Sequence, residues 1–524
     1  MAIIGKNVIE NLTTAMYEDI KIIYREYIQN SADSIDKAIK QKIITEKEAE
    51  IEIYINSENR TISIEDNGVG ISKDNFKQYM TSIADSTKDK DHDKGFRGIG
   101  RLGGISCCNT LKFSCSAIGE NITSECIWDA NYIKEVLNDK NNKISASELV
   151  DKATKFSTSP TDPDEHFFKV ELIDIENSSN ELLDTEAVRK YLQMVAPVPY
   201  NNKFLFIKKI KDFANDHNFI IDEYNVLING EYLQKPYQNY FYEKTDKNKK
   251  AYDELVDVQF KIFYDKDDNI LAWMWYGVSG YIKQIPVINE MRGIRLRKSN
   301  IQIGDETTLT SHNFFKEPRG SLYFIGEIFC IHNELIPNAR RDYFNLNNSC
   351  RSFENGVKNI TYNYFYKLYH EANDFKNALK KQIEYTTERN NVILRSEKGL
   401  FINKEQEIKA KENLKQLEKQ AQIGIKKNEQ REEKFANDKT MLATFKAIKT
   451  RIENDTKKTL QPTKNLIEPT EESTSSNKKF LTQSLSKLTK DQQKLVSKIY
   501  TIINECLAPD MAKCVIDKIQ ESLK

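Results

Sequence analysis

The sequence predicts an α+β protein, and three observations support this fold class. Residues 1–180 alternate helical and strand patterns, residues 181–350 are rich in strands, and residues 351–456 contain almost no glycine or proline. We therefore predict an N-terminal α/β domain, an α/β middle domain and a helical C-terminal region that begins with a solvated arm. Residues 457–479 are rich in Thr, Ser and Asn, which predicts a flexible linker to a small helical module at 480–524.

Composition is typical of an intracellular protein with several domains. The 524 residues include 78 basic and 78 acidic side chains, so no overall field attracts nucleic acid or a membrane. There is no signal peptide, and no apolar run approaches the ~18 residues that a membrane span needs. The eight cysteines form no CxxC pair, which disfavours a zinc site and predicts reduced thiols. We expect a cytoplasmic protein without membrane contacts.

The first motif lies in KIIYREYIQNSADSIDKAI, whose apolar spacing predicts a helix. Glu26, Asn30 and Asp33 stand at positions i, i+4 and i+7 and project from one face of that helix. An amide oxygen at Asn30 suits one corner of a Mg²⁺ octahedron, and a carboxylate at Glu26 suits activation of a water molecule. The alternative is a solvated polar stripe on an amphipathic helix.

The second motif, Asp-Asn-Gly-Val-Gly, follows a predicted β-hairpin. Apolar residues alternate at 51–55 and 62–64 around a turn at 56–59, so the second strand ends as Asp66 arrives. A carboxylate there accepts a hydrogen bond from an exocyclic amine, which favours adenine over guanine. Gly68 and Gly70 permit close backbone approach. An ordinary turn is the alternative.

The third motif is glycine-rich, GFRGIGRLGG at residues 95–104. It follows a polar segment rather than a hydrophobic strand, which excludes a dinucleotide fingerprint, and no GxxxxGK[ST] loop is present. We predict a flexible lid at residues 82–94 that closes onto a helix beginning near Arg101. Backbone N–H groups at that helix start would bind phosphate oxygens.

Together these motifs resemble the GHKL (Bergerat-fold) ATPases, and most of all the heat-shock protein 90 chaperones. The likeness rests on YREYIQNSADSID, IEDNGVGIS, TSIADSTK and GFRGIGRLGGIS and covers about residues 1–175. It implies a Bergerat-type α/β sandwich that binds ATP and Mg²⁺, with Glu26 as general base and Asn30 as metal ligand. The nucleotide-contacting residues it implies are Asn30, Asp33, Asp66, Gly68, Gly70, Ser82, Ile83, Ala84, Gly95, Phe96, Arg97, Gly98, Ile99 and Gly100. One departure is HFFKVEL at residues 166–172, where the family usually places a Gly-Thr pair, so the threonine behind adenine stays unassigned.

A second likeness lies in LIPNARRDYF at residues 335–344, which is similar to the middle-domain catalytic loop of the same chaperones. It implies a transducer-like middle domain in which Arg341, or alternatively Arg340, reaches the terminal phosphate. A guanidinium there neutralises charge on a transferring phosphoryl group. A surface arginine pair is the alternative. Residues 291–305 alternate basic and apolar side chains, which predicts an edge strand facing a nucleotide or a partner.

The C-terminal module has an apolar stripe at four- and three-residue steps. Thr489 and Gln492 have the spacing of a capping box, which favours two helices over one. A module of about 45 residues builds little core by itself. Two arrangements would bury the stripe: pairing with a second copy of the module, or packing of the module on its own chain. The apolar positions are Leu481, Leu485, Leu488, Leu495, Ile499, Ile502, Met511, Val515, Ile519 and Leu523.

These features predict a Mg²⁺-dependent ATP hydrolase that acts as a conformational clamp and remodels a protein partner. We expect a homodimer joined through the C-terminal helices, with a client protein or a defence or repair protein as partner. The alternative is a nucleic-acid-acting GHKL ATPase, similar to MutL, gyrase or MORC, in genome maintenance or anti-phage defence. Basic clusters at residues 292–298 and 208–211 support this alternative, although solvated faces explain them equally well.

Overall fold

The computed structural model describes residues 5–13, 19–83, 100–244, 251–459, 480–485 and 487–523. The chain divides into two compact units, one of residues 1–278 and 283–367 and the other of residues 279–282 and 368–524. All described strands lie in the first unit, and the second is built from helices. The predicted α+β class with a helical C-terminal region is therefore confirmed.

The first unit begins with a mixed helix and strand region. Its elements are α1 Asn7–Thr13, α2 Ile22–Lys40, β1 Glu50–Asn56, β2 Thr61–Asp66, α3 Lys73–Thr81, β3 Cys108–Ser116, β4 Ile122–Asp129, α4 Ala130–Asn138, α5 Ala146–Ala153, β5 Thr154–Pro160, β6 Phe167–Ile175, α6 Thr185–Val195, α7 Ile207–Asp216, β7 Asn225–Ile228 and β8 Glu231–Tyr232, with 3-10 helices at Gly100–Ser106 and Asn177–Leu183. The helix predicted to begin near Arg101 is present as a short 3-10 helix.

An eight-stranded sheet organises this region in the order β5-β4-β3-β6-β2-β1-β7-β8. The predicted hairpin is confirmed, since β1 pairs antiparallel with β2 and places Ile53 opposite Ile64. Alternate residues of both strands are buried in one core with apolar residues of α2, such as Ile23 and Tyr27. Strand β7 joins β1 in parallel, so the sheet continues past residue 180, and the domain boundary placed there stays a prediction.

A second sheet follows in the same unit. Its elements and their neighbours are β9 Tyr240–Tyr242, β10 Ala251–Glu254, β11 Asp257–Tyr264, β12 Ile270–Val278, β13 Gly293–Lys298, β14 Ile301–Ile303, α8 Thr308–Ser311, β15 Ile325–Cys330 and α9 Asn348–Asn359, with a 3-10 helix at Pro318–Tyr323 and a π-helix at Ile360–Phe365. Five of these strands form the order β11-β12-β15-β13-β14. Strand β13 pairs on both sides, so its prediction as an edge strand was wrong, whereas β14 does lie at the edge.

The second unit consists of long helices and a small C-terminal cluster. Its elements are α10 Tyr366–Glu397, α11 Lys404–Lys434, α12 Lys439–Thr459, α13 Lys490–Cys506 and α14 Pro509–Ser522, with a 3-10 helix at Leu481–Leu485. The capping box of Thr489 and Gln492 is present, which confirms two C-terminal helices. Helix α12 extends to Thr459, and the rest of the predicted linker, residues 460–479, lies outside the described residues.

Candidate functional site

Helix α2 carries the first motif on the side that faces the sheet. Glu26 and Asp33 are buried, and Asn30 is half-buried. The hydroxyl of Tyr27 donates to the carbonyl of Arg101 at 3.0 Å and accepts from the N–H of Gly104 at 3.1 Å. These two bonds tie α2 to the 3-10 helix Gly100–Ser106. The polar face of α2 is therefore largely buried, which disfavours the alternative of a solvated polar stripe.

Gly100 meets the carboxylate of Glu26 directly. A Cβ atom added at this glycine would lie 2.4 Å from Oε2 of Glu26, so any larger residue would collide with the acid. Gly100 is the first residue of the glycine-rich motif that the structure describes. The predicted phosphate-binding segment and the predicted base thus meet at van der Waals contact.

Asp66 ends β2 with only 1% of its surface exposed. Burial raises the pKa of its carboxyl from the usual 3.8 to about 7, although hydrogen bonds from Ser31, Ser34 and the Gly68 N–H act to lower it. Gly70 adopts a φ of +64°, and a Cβ there would lie 2.0 Å from the carbonyl oxygen of Ser116. Both features favour the motif as a site over an ordinary surface turn.

Strand β6 places two residues beside Asp66 that the sequence left without a role. Phe168 is directly opposite Asp66 on β2 and Cys115 on β3, so its ring and the carboxylate project from the same face. The Nδ1 atom of His166 lies 2.8 Å from the carbonyl oxygen of Gly68. An aromatic ring therefore occupies the position next to the Asp66 carboxylate. Its only sequence signal was the apolar alternation of Phe168, Val170 and Leu172.

The loop after β15 brings an arginine to the first motif. The Nε atom of Arg341 lies 2.9 Å from Oε1 of Glu26, and both side chains are about nine-tenths buried. Arg341 has a φ of +55°, and the loop is held by a bond from the Asn338 N–H to the Tyr343 carbonyl at 2.8 Å. Arg340 is exposed, and its carbonyl accepts a bond from Arg25 at 3.4 Å. Of the two predicted arginines, Arg341 is the one that contacts Glu26.

Arg25 is a further residue of this site that sequence reasoning missed. Its guanidinium is 4% exposed and lies 3.7 Å from Oε1 of Glu26. Within the part of the chain that the structure describes, neither Arg25 Nε nor Glu26 Oε1 makes a hydrogen bond. The Oε1 oxygen is therefore contacted by two guanidinium groups through charge, without a hydrogen bond to either.

Comparison with known proteins agrees with this geometry. Residues 17–159 match the family described as "Histidine kinase-, DNA gyrase B-, and HSP90-like ATPase". Residues 17–159 therefore form a domain of the GHKL ATPase superfamily. Its similarity to bacterial chaperone proteins HtpG places this GHKL member near the heat-shock protein 90 branch.

The matched HtpG chaperones cover a limited part of the chain. The protein of Halalkalibacterium halodurans is 27% identical over 132 residues, which is 22% of this chain and 21% of that protein. The protein of Bacillus subtilis is 30% identical over 111 residues, 19% of this chain and 18% of its own length. That of Coxiella burnetii is 33% identical over 87 residues, 16% and 14% respectively. This GHKL chain thus spans less than a quarter of the curated relatives it matches.

Of the predicted lid at residues 82–94, Ser82 and Ile83 are the part that the structure describes. The carbonyl of Ser82 accepts a hydrogen bond from the guanidinium of Arg101, and Ile83 packs against the core of the N-terminal sheet. Six predicted nucleotide contacts lie outside the described residues: Ala84, Gly95, Phe96, Arg97, Gly98 and Ile99.

The basic cluster at residues 292–298 of this GHKL chain is not an exposed patch. Arg295 and Arg297 are buried, and they pair with Glu306 and Glu327. In the second cluster, Lys209 and Lys211 pair with acidic residues at 2.5 and 2.7 Å. The first cluster therefore offers little exposed basic surface, whereas Lys209 and Lys211 are surface ion pairs that remain nearly half exposed. Among the described helices, none is long and apolar enough to span a membrane.

Proposed function

We propose that this protein is a Mg²⁺-dependent ATPase that works as a conformational clamp. The observation that carries the proposal is the contact of Arg341 with Glu26, because it joins the loop after β15 to α2 beside Gly100. In this proposal Glu26 orients and deprotonates the attacking water, and Arg341 neutralises charge that develops on the terminal phosphoryl group. Hydrolysis would then weaken the attraction that holds the loop at the site.

Nucleotide binding is assigned to the pocket around Asp66. Its carboxylate would accept a hydrogen bond from the exocyclic amine of adenine, and the ring of Phe168 beside it would supply apolar surface for the base. The glycines at 70 and 100 let the backbone approach Ser116 and Glu26 closely, and this fixes the edges of the proposed pocket. Asp33 would line the wall of the same pocket.

Magnesium fits the site through Asn30. The amide is half-buried one turn after Glu26, and it offers the hard neutral oxygen that Mg²⁺ accepts. Among the described residues, no group of three or more His, Cys, Asp or Glu side chains forms a metal cage. The ion would therefore take its remaining ligands from nucleotide phosphates and water.

Two substitutions test the ATPase. Glu26→Ala should bind ATP with near-parental affinity and lose about 10²–10⁴-fold of the hydrolysis rate. Asp66→Asn should lose ATP binding, measured by calorimetry. Glu52→Ala, on an exposed position of β1, is the matched control and should behave like the parent. Parental hydrolysis by Glu26→Ala would refute the base assignment.

A protein client is the partner we favour. The matched relatives are named chaperone proteins, and the buried arginines at 295 and 297 argue against a nucleic-acid surface. An ATPase assay with unfolded protein and, separately, with DNA distinguishes a protein client from a nucleic-acid partner. We expect stimulation by unfolded protein only. Stimulation by DNA with a steep salt dependence would support the alternative, because phosphate contacts release counterions.

We infer a homodimer from the exposed apolar face of the last two helices. Leu495, Ile499 and Ile502 on α13 are 60%, 40% and 59% exposed, and Met511 on α14 is 62% exposed. Their neighbours Val496, Tyr500 and Ile516 instead pack in a core that also contains Ile402, from outside the module. Leu495→Asp should dissociate the dimer in sedimentation experiments. Leu205→Asp, at another exposed leucine, should leave it intact.

A further inference from the structure

A second cavity lies in the first unit next to the Glu26–Arg341 contact. Its volume is about 580 Å³, within the usual range for small-molecule sites. The start of α2, the end of α6, strands β13 and β14 and residues 340–342 form its walls. Asp66 and Asn30 do not line it, whereas Arg341, which the proposed function places at the terminal phosphate, does.

The walls of this cavity concentrate basic side chains. Six of them line it: Arg25, Lys190, Arg292, Arg295, Arg340 and Arg341. Arg25 and Arg295 are 4% and 5% exposed, and the Nε–H group of each has no acceptor among the described residues. A buried guanidinium N–H without an acceptor is costly, and an anion in the cavity would satisfy both donors.

The acidic residues of the cavity are largely engaged elsewhere. Glu306 pairs with Arg295 at 3.2 Å, and Asp19 pairs with Lys21 at 3.1 Å. Asp305 accepts bonds from Thr307, and Asp342 accepts one from Asn338. The remaining acid, Glu290, is half-buried, and burial raises the pKa of its carboxyl. On the cavity wall, the Nε–H groups of Arg25 and Arg295 are therefore charged donors that lack an acceptor among the described residues.

Part of the cavity wall is apolar. Its apolar side chains are Ile22, Tyr191, Met194, Val195 and Val287. An inorganic ion would leave this surface unused, whereas a molecule with an anionic head and an apolar body would cover it.

We propose that this cavity binds a small organic anion, a phosphate ester or a carboxylate, with its head at Arg25 and Arg295 and its body on the apolar wall. Such a ligand would touch the loop that carries Arg341. If the ATPase proposal holds, its occupancy would also shift ATP turnover, because both sites share that loop.

The test is calorimetric titration of the full chain, without nucleotide, with phenyl phosphate, benzoate and the neutral analogue anisole. We expect phenyl phosphate or benzoate to bind and anisole not to bind. Arg295→Met should weaken binding about tenfold. Because that side chain is buried, two exposed wall positions provide further variants: Lys190→Met and Val287→Asp should each weaken binding about threefold.

Two controls make the outcome decisive. Arg319→Met removes an exposed arginine outside the cavity and should bind like the parent, as should Asp66→Asn. Preference for phenyl phosphate would identify a phosphate head, and preference for benzoate a carboxylate. The proposal is overturned if neither anion binds below ~10 mM, if anisole binds equally, if the wall variants have no effect, or if Asp66→Asn abolishes binding. None of these readouts depends on ATP hydrolysis.

Discussion

Two buried glutamates of the first unit face arginines, and they differ in how completely they are satisfied. Glu327 on β15 is fully buried and contacts Arg297, Lys235 at 3.1 Å, Trp275 at 3.3 Å and the hydroxyl of Tyr200. Glu26 on α2 has two arginines near its Oε1 atom and no hydrogen bond to that atom among the described residues. The first arrangement fixes a carboxylate, and the second leaves one available for chemistry.

The charges around Glu327 explain its protonation state. Burial by itself raises the pKa of this carboxyl, but the charges of Arg297 and Lys235 outweigh that effect and lower it to about 2. Burial, together with the charge of Arg297, lowers the pKa of Lys235 to about 7. Arg297 also donates to the carbonyl of Met194 at the end of α6 at 2.8 Å. The cluster therefore joins the second sheet to the helix that follows the first.

The largest expected effect is a difference in the free energy of unfolding between variants of Glu327 and Glu26. Glu327→Gln leaves Arg297 and Lys235 buried without their anion, and we expect a loss of about 3–5 kcal/mol in the free energy of unfolding. Glu26→Gln should change it by less than about 1 kcal/mol. Urea unfolding followed by tryptophan fluorescence checks this, because Trp273 and Trp275 lie on β12 beside the cluster. Equal losses would contradict the comparison.

A smaller effect should distinguish Arg341 from Arg340 in the rate of ATP hydrolysis. Arg341→Met should reduce ATP hydrolysis by about 10²-fold. This loss is smaller than at a site with a single arginine, because Arg25 still faces Glu26 in the variant. Arg340→Met, at an exposed side chain, should reduce it by less than about threefold. Steady-state phosphate release measures both. Comparable losses of activity in the two variants would contradict the choice of Arg341 over Arg340 as the residue that reaches the terminal phosphate.

The smallest effect should appear in the pH dependence of stability. Between the folded pKa of about 7 and the usual 10.5, the unfolded chain binds more protons at Lys235, so stability should rise with pH. We expect a gain of about 2 kcal/mol from pH 7 to 9. In Lys235→Met this gain should be absent, as measured by urea unfolding at each pH. A parallel rise in the variant would show that other groups cause it.

The sequence predicted what depends on local spacing. Helix α2, the hairpin and the capping box at Thr489 follow from side chains a few residues apart, and the structure confirms them. The choice between Arg340 and Arg341 needed the fold of the loop, since the two side chains are neighbours in sequence and differ in what they contact.

What the sequence missed depends on distant pairing. Phe168 lies beside Asp66 only because β6 enters the sheet between β2 and β3 in one register. The alternation of basic and apolar residues in β13 is typical of an amphipathic strand. It is buried on both faces because Glu327 on the neighbouring strand neutralises Arg297. Neither partner can be identified from spacing along the chain.

The close approach at Gly100 has an evolutionary consequence. Because a single methyl group there would overlap the carboxylate of Glu26, a change at this position would move the carboxylate from its present place. A lineage that kept the acid would have to keep the glycine, and one that lost the acid would be released from that restriction. Related sequences with a side chain at this position should therefore be descendants in which the acid has been replaced or displaced.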